Sequence, residues 1–111
     1  MKLKINTWQR MQLVLALGSV SGPVATYRQA TKLLDLLELQ PDEQAKVGFV
    51  MMADGAARWA DEAHRWEIEI KDGNLAAFLR RVAQSHAQWP VAQRGLVDDL
   101  LEQLGVEEDD G

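Results

Sequence analysis

From Trp66 to Ile70 apolar and charged residues alternate without a break, and from Leu75 to Trp89 apolar residues recur every three or four positions. The first pattern is that of a strand with one face in water. Trp66, Ile68 and Ile70 share one side, and Arg65, Glu67 and Glu69 the other. Lys71-Asp72-Gly73-Asn74 breaks the strand. Leu75, Phe78, Leu79, Val82, Ala83, His86 and Trp89 then line one face of a helix, with Arg80, Arg81, Gln84 and Gln88 turned mostly away. A strand and a helix with one apolar face each cannot stand alone, so the rest of the chain must cover them.

Elements suited to that task can be read in order. Met1–Ile5 alternates as a short strand whose lysines, Lys2 and Lys4, suit a sheet edge. Asn6 or Thr7 can cap a helix beginning at Trp8, which becomes apolar nearly all round over Leu13–Leu17 and stops at Gly18. A second helix is predicted from Pro23, with Tyr27, Ala30, Leu33, Leu34 and Leu37 inward. It ends near Leu39, because Pro41 disfavours helical geometry in the residue before it. Pro41, Asp42 and Glu43 suit the first turn of a short third helix that closes before Gly48.

Val47–Ala53 reads as a strand, and Asp54-Gly55 as a two-residue hairpin turn. That turn would set Ala53 opposite Ala56, Met51 opposite Arg58 and Val50 opposite Trp59. A further turn at Asp61-Glu62-Ala63 leads into Trp66–Ile70 and completes a three-stranded meander, with Trp59 near Trp66. A last helix after Pro90 turns Leu96, Val97, Leu100, Leu101 and Leu104 inward and ends at Gly105-Val106. The expected fold is therefore α+β: a small antiparallel sheet of three to four strands, a β-meander, with four to five helices mainly on one face. Residues 1–106 form one domain, and residues 107–111 an acidic disordered tail.

Composition narrows the function. A chain of 111 residues without cysteine has no disulfide framework, no thiolate nucleophile and no cysteine-ligated zinc site. The net charge is −5, and Glu107-Glu108-Asp109-Asp110 carry four of the negative charges, so the body is close to neutral. A near-neutral body lacks the broad basic footprint of a nucleic-acid binder. Leu13–Leu17 is too short to span a bilayer, and no cleavage-site pattern follows it. The reading is of a cytoplasmic protein without membrane partners, metal or other cofactor.

No residue cluster carries a strong catalytic signature. His64 with Asp61 and Glu62 has metal-ligand residue types in one turn but lacks donors for a closed site, and reads more simply as a solvated turn. His86 and Ser85 are neighbours and point about 100° apart on a helix, so they do not make a nucleophile–base pair. Glu67 and Glu69 read as an outward sheet face rather than an acid–base pair. Arg58, Arg65, Arg80 and Arg81, interspersed with tryptophan, offer an alternative reading as a nucleic-acid surface.

The four tryptophans, Trp8, Trp59, Trp66 and Trp89, are many for this length. They fill a small core or anchor a partner. With Met11, Met51 and Met52 they suggest a binding surface. Trp8, Met11, Leu13 and Leu17 of the first helix, together with Trp59, are the residues expected to meet a protein partner or a second copy. The order of parts resembles that of small phage and prophage-encoded proteins. The correspondence lies in the first strand and apolar helix, the acidic segment Leu39–Gln44, the glycine–tryptophan hairpin Asp54–Trp59, the alternating strand and the two closing helices. The resemblance implies a phage or mobile-element setting and gives no residue a role. The expected function is non-enzymatic protein binding or assembly. A nucleic-acid-associated regulatory protein is the alternative, and a small metal-dependent or acid–base enzyme comes third.

Overall fold

The structure, a computed structural model, describes residues 1–106; the predicted acidic tail lies outside the described residues. The elements are β1 (Lys2–Asn6), α1 (Thr7–Gly18), α2 (Val24–Leu37), α3 (Pro41–Val47), β2 (Val50–Met51), β3 (Ala57–Arg58), β4 (Arg65–Glu69), α4 (Gly73–Ser85) and α5 (Arg94–Leu104). A 3-10 turn at Val91–Gln93 precedes α5. The fold is α+β.

The alternating strand forms as its pattern requires, but it finds a different neighbour. β4 pairs antiparallel with β1, setting Leu3 opposite Ile68, Ile5 opposite Trp66, Lys4 opposite Glu67 and Lys2 opposite Glu69. The helices pack against the face carrying Leu3, Ile5, Trp66 and Ile68, all buried, while the lysines and glutamates of the opposite face are exposed. Two physical terms favour this pairing over the predicted meander. It matches the period-two apolar faces of both strands, and it places opposite charges across from one another. β2 and β3 form a separate two-stranded sheet, so the meander of three to four strands is not observed among the described residues.

The hairpin register also differs by one residue. Val50 lies opposite Arg58, and Met51 opposite Ala57. The loop is three residues long, because Met52 N–H donates to Ala56 O at 2.7 Å and Gly55 N–H donates to Met52 O at 3.0 Å. Gly55 takes φ +87°, the left-handed position that ends such a three-residue turn. Val47, predicted to open this strand, instead ends α3. Gly48 (φ +68°) caps that helix, and Phe49 N–H returns to Gln44 O at 2.8 Å.

α1 is enclosed by α2, α4, α5 and β1. Leu13, Ala16 and Leu17 are buried among them, and Leu15 alone of that run is left in water, 60% exposed. The cover for this helix, expected from a protein partner or a second copy, is supplied mostly within the chain. Asn6 caps α1 reciprocally with Gln9: Gln9 N–H donates to Asn6 Oδ1 at 2.8 Å, and Asn6 N–H donates to Gln9 Oε1 at 2.9 Å. Gln9 also donates to Leu96 O and Asp99 Oδ2, tying α1 to α5.

The next residue is a buried cation. Arg10 is 2% exposed. Its Nε donates to Leu37 O at 2.6 Å, and one terminal nitrogen to Glu38 O at 3.2 Å. Both terminal nitrogens reach the Glu43 carboxylate at 2.9 Å. The guanidinium carbon sits 5.0 Å from the ring centre of Trp66, whose indole N–H donates to Thr7 Oγ1 at 2.9 Å. One side chain thus satisfies the carbonyl end of α2 and fixes the first turn of α3. The Arg10 hydrogen bonds hold the Glu43 carboxyl below its usual range, helped by the Gln40 N–H and opposed by partial burial. Among the described residues, every buried side-chain nitrogen and oxygen has a partner.

Candidate functional site

The hairpin is the part of the molecule least explained by its own packing. Its base is well held. Ala60 and Asp61 N–H both donate to Val47 O, at 2.9 and 3.0 Å, and Phe49 stacks on Trp59 with ring centres 6.3 Å apart and planes within 7°. Beyond that base the strands hold one another. Val50 and Met51 are 55% and 61% exposed, and Met52, entering the turn, is 39% exposed. Three consecutive apolar side chains therefore stand on a short arm in water. Isolated exposed apolar residues are ordinary on a protein surface, but contiguous ones mark contact sites.

At the foot of the arm lies a cleft of about 280 Å³ lined by Asn6, Trp8, Trp59, Glu62, Gln93 and Leu96. Trp59 and Glu62 also line an adjoining hollow of about 250 Å³ with Ala57 and Arg58. The cleft draws on residues far apart in sequence: the first turn of α1, the segment after β3, and the start of α5. Both tryptophans are partly buried. The cleft lies just below the usual size of a small-molecule site, roughly 300–1,000 Å³. It has room for a single large side chain, the usual occupant of an interface hot spot.

Of the residues expected to meet a partner, Trp8 and Trp59 come together here. Met11 is half-buried on α1. Leu13 and Leu17 belong to the core, so they present no surface to a partner in this fold. The reason is that α2 and α4 cover two sides of α1 that the sequence pattern left unassigned. From the sequence Glu62 reads as a turn residue and Leu96 as part of the inward face of the last helix, while Gln93 carries no signal. Only the tertiary fold brings the loop and α5 to the tryptophans.

The four arginines do not form one patch. Arg80 Nε donates to Leu104 O at 2.8 Å, at the carbonyl end of α5. Arg65 donates to Lys4 O at 3.1 Å and approaches Asp99 to 3.9 Å. Arg81 lies over Phe78, 6.0 Å from its ring centre. Arg58 alone adjoins Trp59 on the arm. At the turn before β4, His64 N–H donates to Asp61 Oδ1 at 3.1 Å, and the imidazole meets Trp66 edge-on with centres 4.3 Å apart. Ser85 Oγ donates to Arg81 O, while His86 packs edge-on against Trp89 at 4.7 Å. No group of three or more histidine, aspartate or glutamate side chains is arranged to hold a metal among the described residues. No helix there is long and apolar enough to cross a membrane. No family model, curated protein or solved structure matches this chain.

Proposed function

We propose that this chain is a non-enzymatic protein-binding or assembly module, and that it docks a protein partner through the β2–β3 arm and the cleft at its foot. The observation that carries the reading is the exposure of Val50, Met51 and Met52 together on an arm whose base is rigidly fixed. Methionine-rich apolar surfaces adapt to a partner's contour, and a cleft flanked by two tryptophans seats an anchoring side chain. The element order that resembles small phage proteins fits an assembly role of this kind.

Site-specific photo-cross-linking tests it. A benzophenone amino acid is placed at Met51, and separately at Val91, which is 76% exposed and lies outside the arm and the cleft. The Met51 position should give a discrete cross-linked protein in cells of the natural host, one that weakens with Trp59→Ala and is absent for Val91. A product of twice the chain mass in the purified protein would identify a second copy as the partner. No product at Met51, or equal products at both positions, would refute docking through the arm.

A further inference from the structure

The two outer edges of the β1–β4 sheet are not alike. Ile70 N–H donates to Met1 O, and Met1 N donates to Ile70 O. With the observed register, the pairs that exchange hydrogen bonds are then Met1–Ile70, Leu3–Ile68 and Ile5–Trp66. The backbone groups of Lys2, Lys4 and Asn6 therefore point outward from one edge, and those of Arg65, Glu67 and Glu69 from the other.

The β1 edge is closed by side chains. Gln103 of α5 accepts from Lys4 N–H at 2.7 Å and donates to Lys4 O at 2.9 Å, as a neighbouring strand would. Asn6 N–H is taken by Gln9. At the β4 edge no described residue hydrogen-bonds the backbone of Glu67 or Glu69, and among the described strands only β1 pairs with β4. An open strand edge is a template for a further strand.

We infer that the outer edge of β4 binds an extended segment of alternating basic and aliphatic residues, supplied by a partner protein. The inference stands apart from the arm and its cleft. The chemistry is read from the strand already paired with β4. On its inner edge β4 is matched by Lys2-Leu3-Lys4-Ile5, with lysines opposite Glu69 and Glu67 and aliphatic residues opposite Ile68 and Trp66. The same glutamates stand exposed on that face, in the strand that forms the open edge. A second strand of like pattern would place cations beside them and extend the apolar face. A second copy pairing through β4 about its central residue would set Glu67 against Glu67, which like-charge repulsion disfavours.

The probe is a capped peptide, Lys-Leu-Lys-Ile-Lys-Leu, titrated into the isotope-labelled full chain. The amide signals of Arg65, Glu67 and Glu69 should shift, and their hydrogen exchange should slow. The same peptide with glutamate for lysine should not bind. Paired antiparallel to β4, as β1 is, the peptide sets its lysines directly opposite the glutamates, so the lysine N–H groups point at β4 and those of the aliphatic residues point away. N-methylation of the lysines should weaken binding at least about tenfold, the equivalent of losing one or two backbone bonds, and N-methylation of the aliphatic residues should not. Glu67→Pro removes the outward N–H at an edge position that tolerates proline, and should do the same.

Equal binding of the lysine and glutamate peptides would overturn the proposal. So would shifts confined to other surfaces, or undiminished binding of the lysine-methylated peptide. Slow exchange of Glu67 and Glu69 in the free chain, with sedimentation as a dimer, would show the edge filled by a second copy and sink it as well.

Discussion

Arg10 and the hairpin arm invert the ordinary distribution of polarity, and they do so in opposite directions. Where α1 meets α2 and α3, a guanidinium lies at 2% exposure. On the arm, Val50 and Met51 stand more than half in water. The buried cation is fully accounted for by its own chain. It has a two-pronged contact with Glu43, carbonyl acceptors at the end of α2, and the face of Trp66. The exposed apolar residues have no comparable account within the described residues. A polar group inside is explained when its partners are counted; a contiguous run of apolar groups outside points to something beyond the chain. This contrast is why the arm, and not the chemically richer arginine, is the candidate site.

The largest effect should come from the arginine. Arg10→Ala strips the Leu37 and Glu38 carbonyls of their donor and leaves Glu43 without its cation. Leaving the buried Leu37 carbonyl without its donor costs about 1–3 kcal/mol, and the lost charged bonds to the partly exposed Glu43 add to it, to be read as a fall in the urea midpoint. Arg10→Lys keeps the charge but not the planar fork, so it should also destabilise, by less. A loss under about 1 kcal/mol for Arg10→Ala would show that this corner is not the structural anchor it looks to be.

Glu43→Gln should come next. It keeps the shape but loses charge-assisted bonds, each worth about 1.5–3 kcal/mol. The sign of its pH dependence follows from the lowered carboxyl. A group whose folded pKa is depressed contributes stability that is fully present above the unfolded value, near 4.3 for glutamate. That stability is lost as pH falls through the folded value. The gap between the parent and Glu43→Gln in urea titrations should therefore be widest above about pH 5 and shrink as the pH falls below the unfolded value. A gap independent of pH would mean that the carboxylate charge contributes nothing here.

The same contrast explains what the sequence could and could not reveal. β4 was legible because its two faces differ in chemistry at every residue. Its partner was misassigned to the hairpin, although the complementary signal was there to read: Lys-Leu-Lys-Ile set against Glu-Ile-Glu-Trp. Sequence proximity favours the hairpin as the neighbour, and charge register favours β1. The Asp54-Gly55 turn was recognised, but its loop length is decided by Gly55 taking the left-handed position after a turn, and this moves the register by one. Arg10 was invisible as a core residue because its partners lie on α2 and α3, 26 to 33 residues away. The cleft was half legible. Trp8 and Trp59 announce themselves by type, but nothing local shows that Gln93 and Leu96 will join them.

Two glycines sharpen the boundary between body and arm. Gly48 has a left-handed backbone, and an added Cβ would lie 3.1 Å from the Cβ of Ala60. Gly48→Ala should cost about 1–3 kcal/mol and be felt globally, since it loosens the end of α3. Gly55 is also left-handed but has open space around it. Gly55→Ala should cost about 1–2 kcal/mol and act only at the arm, seen as faster exchange of the Met52 amide with the urea midpoint nearly unchanged. Equal global effects would mean that arm and body unfold as one unit.

The smallest effect on stability is expected where the functional effect is largest. Val50→Ser and Met51→Ser remove apolar surface more than half of which is in water in the folded chain and all of which is in water in the unfolded one. Hydrophobic stabilisation scales with the area withdrawn from water, about 25 cal/mol per Å², so little is at stake on folding. Each change should shift stability by within about 0.5 kcal/mol, as surface changes do. Docking is different, because there the same side chains pass from water into a contact. The double variant should therefore keep the parent's urea midpoint and lose the cross-link formed from a probe on the neighbouring Arg58. If it instead lost 2–3 kcal/mol of stability, these side chains would be packed on the body in solution. The arm would then be covered by its own chain, as Arg10 is.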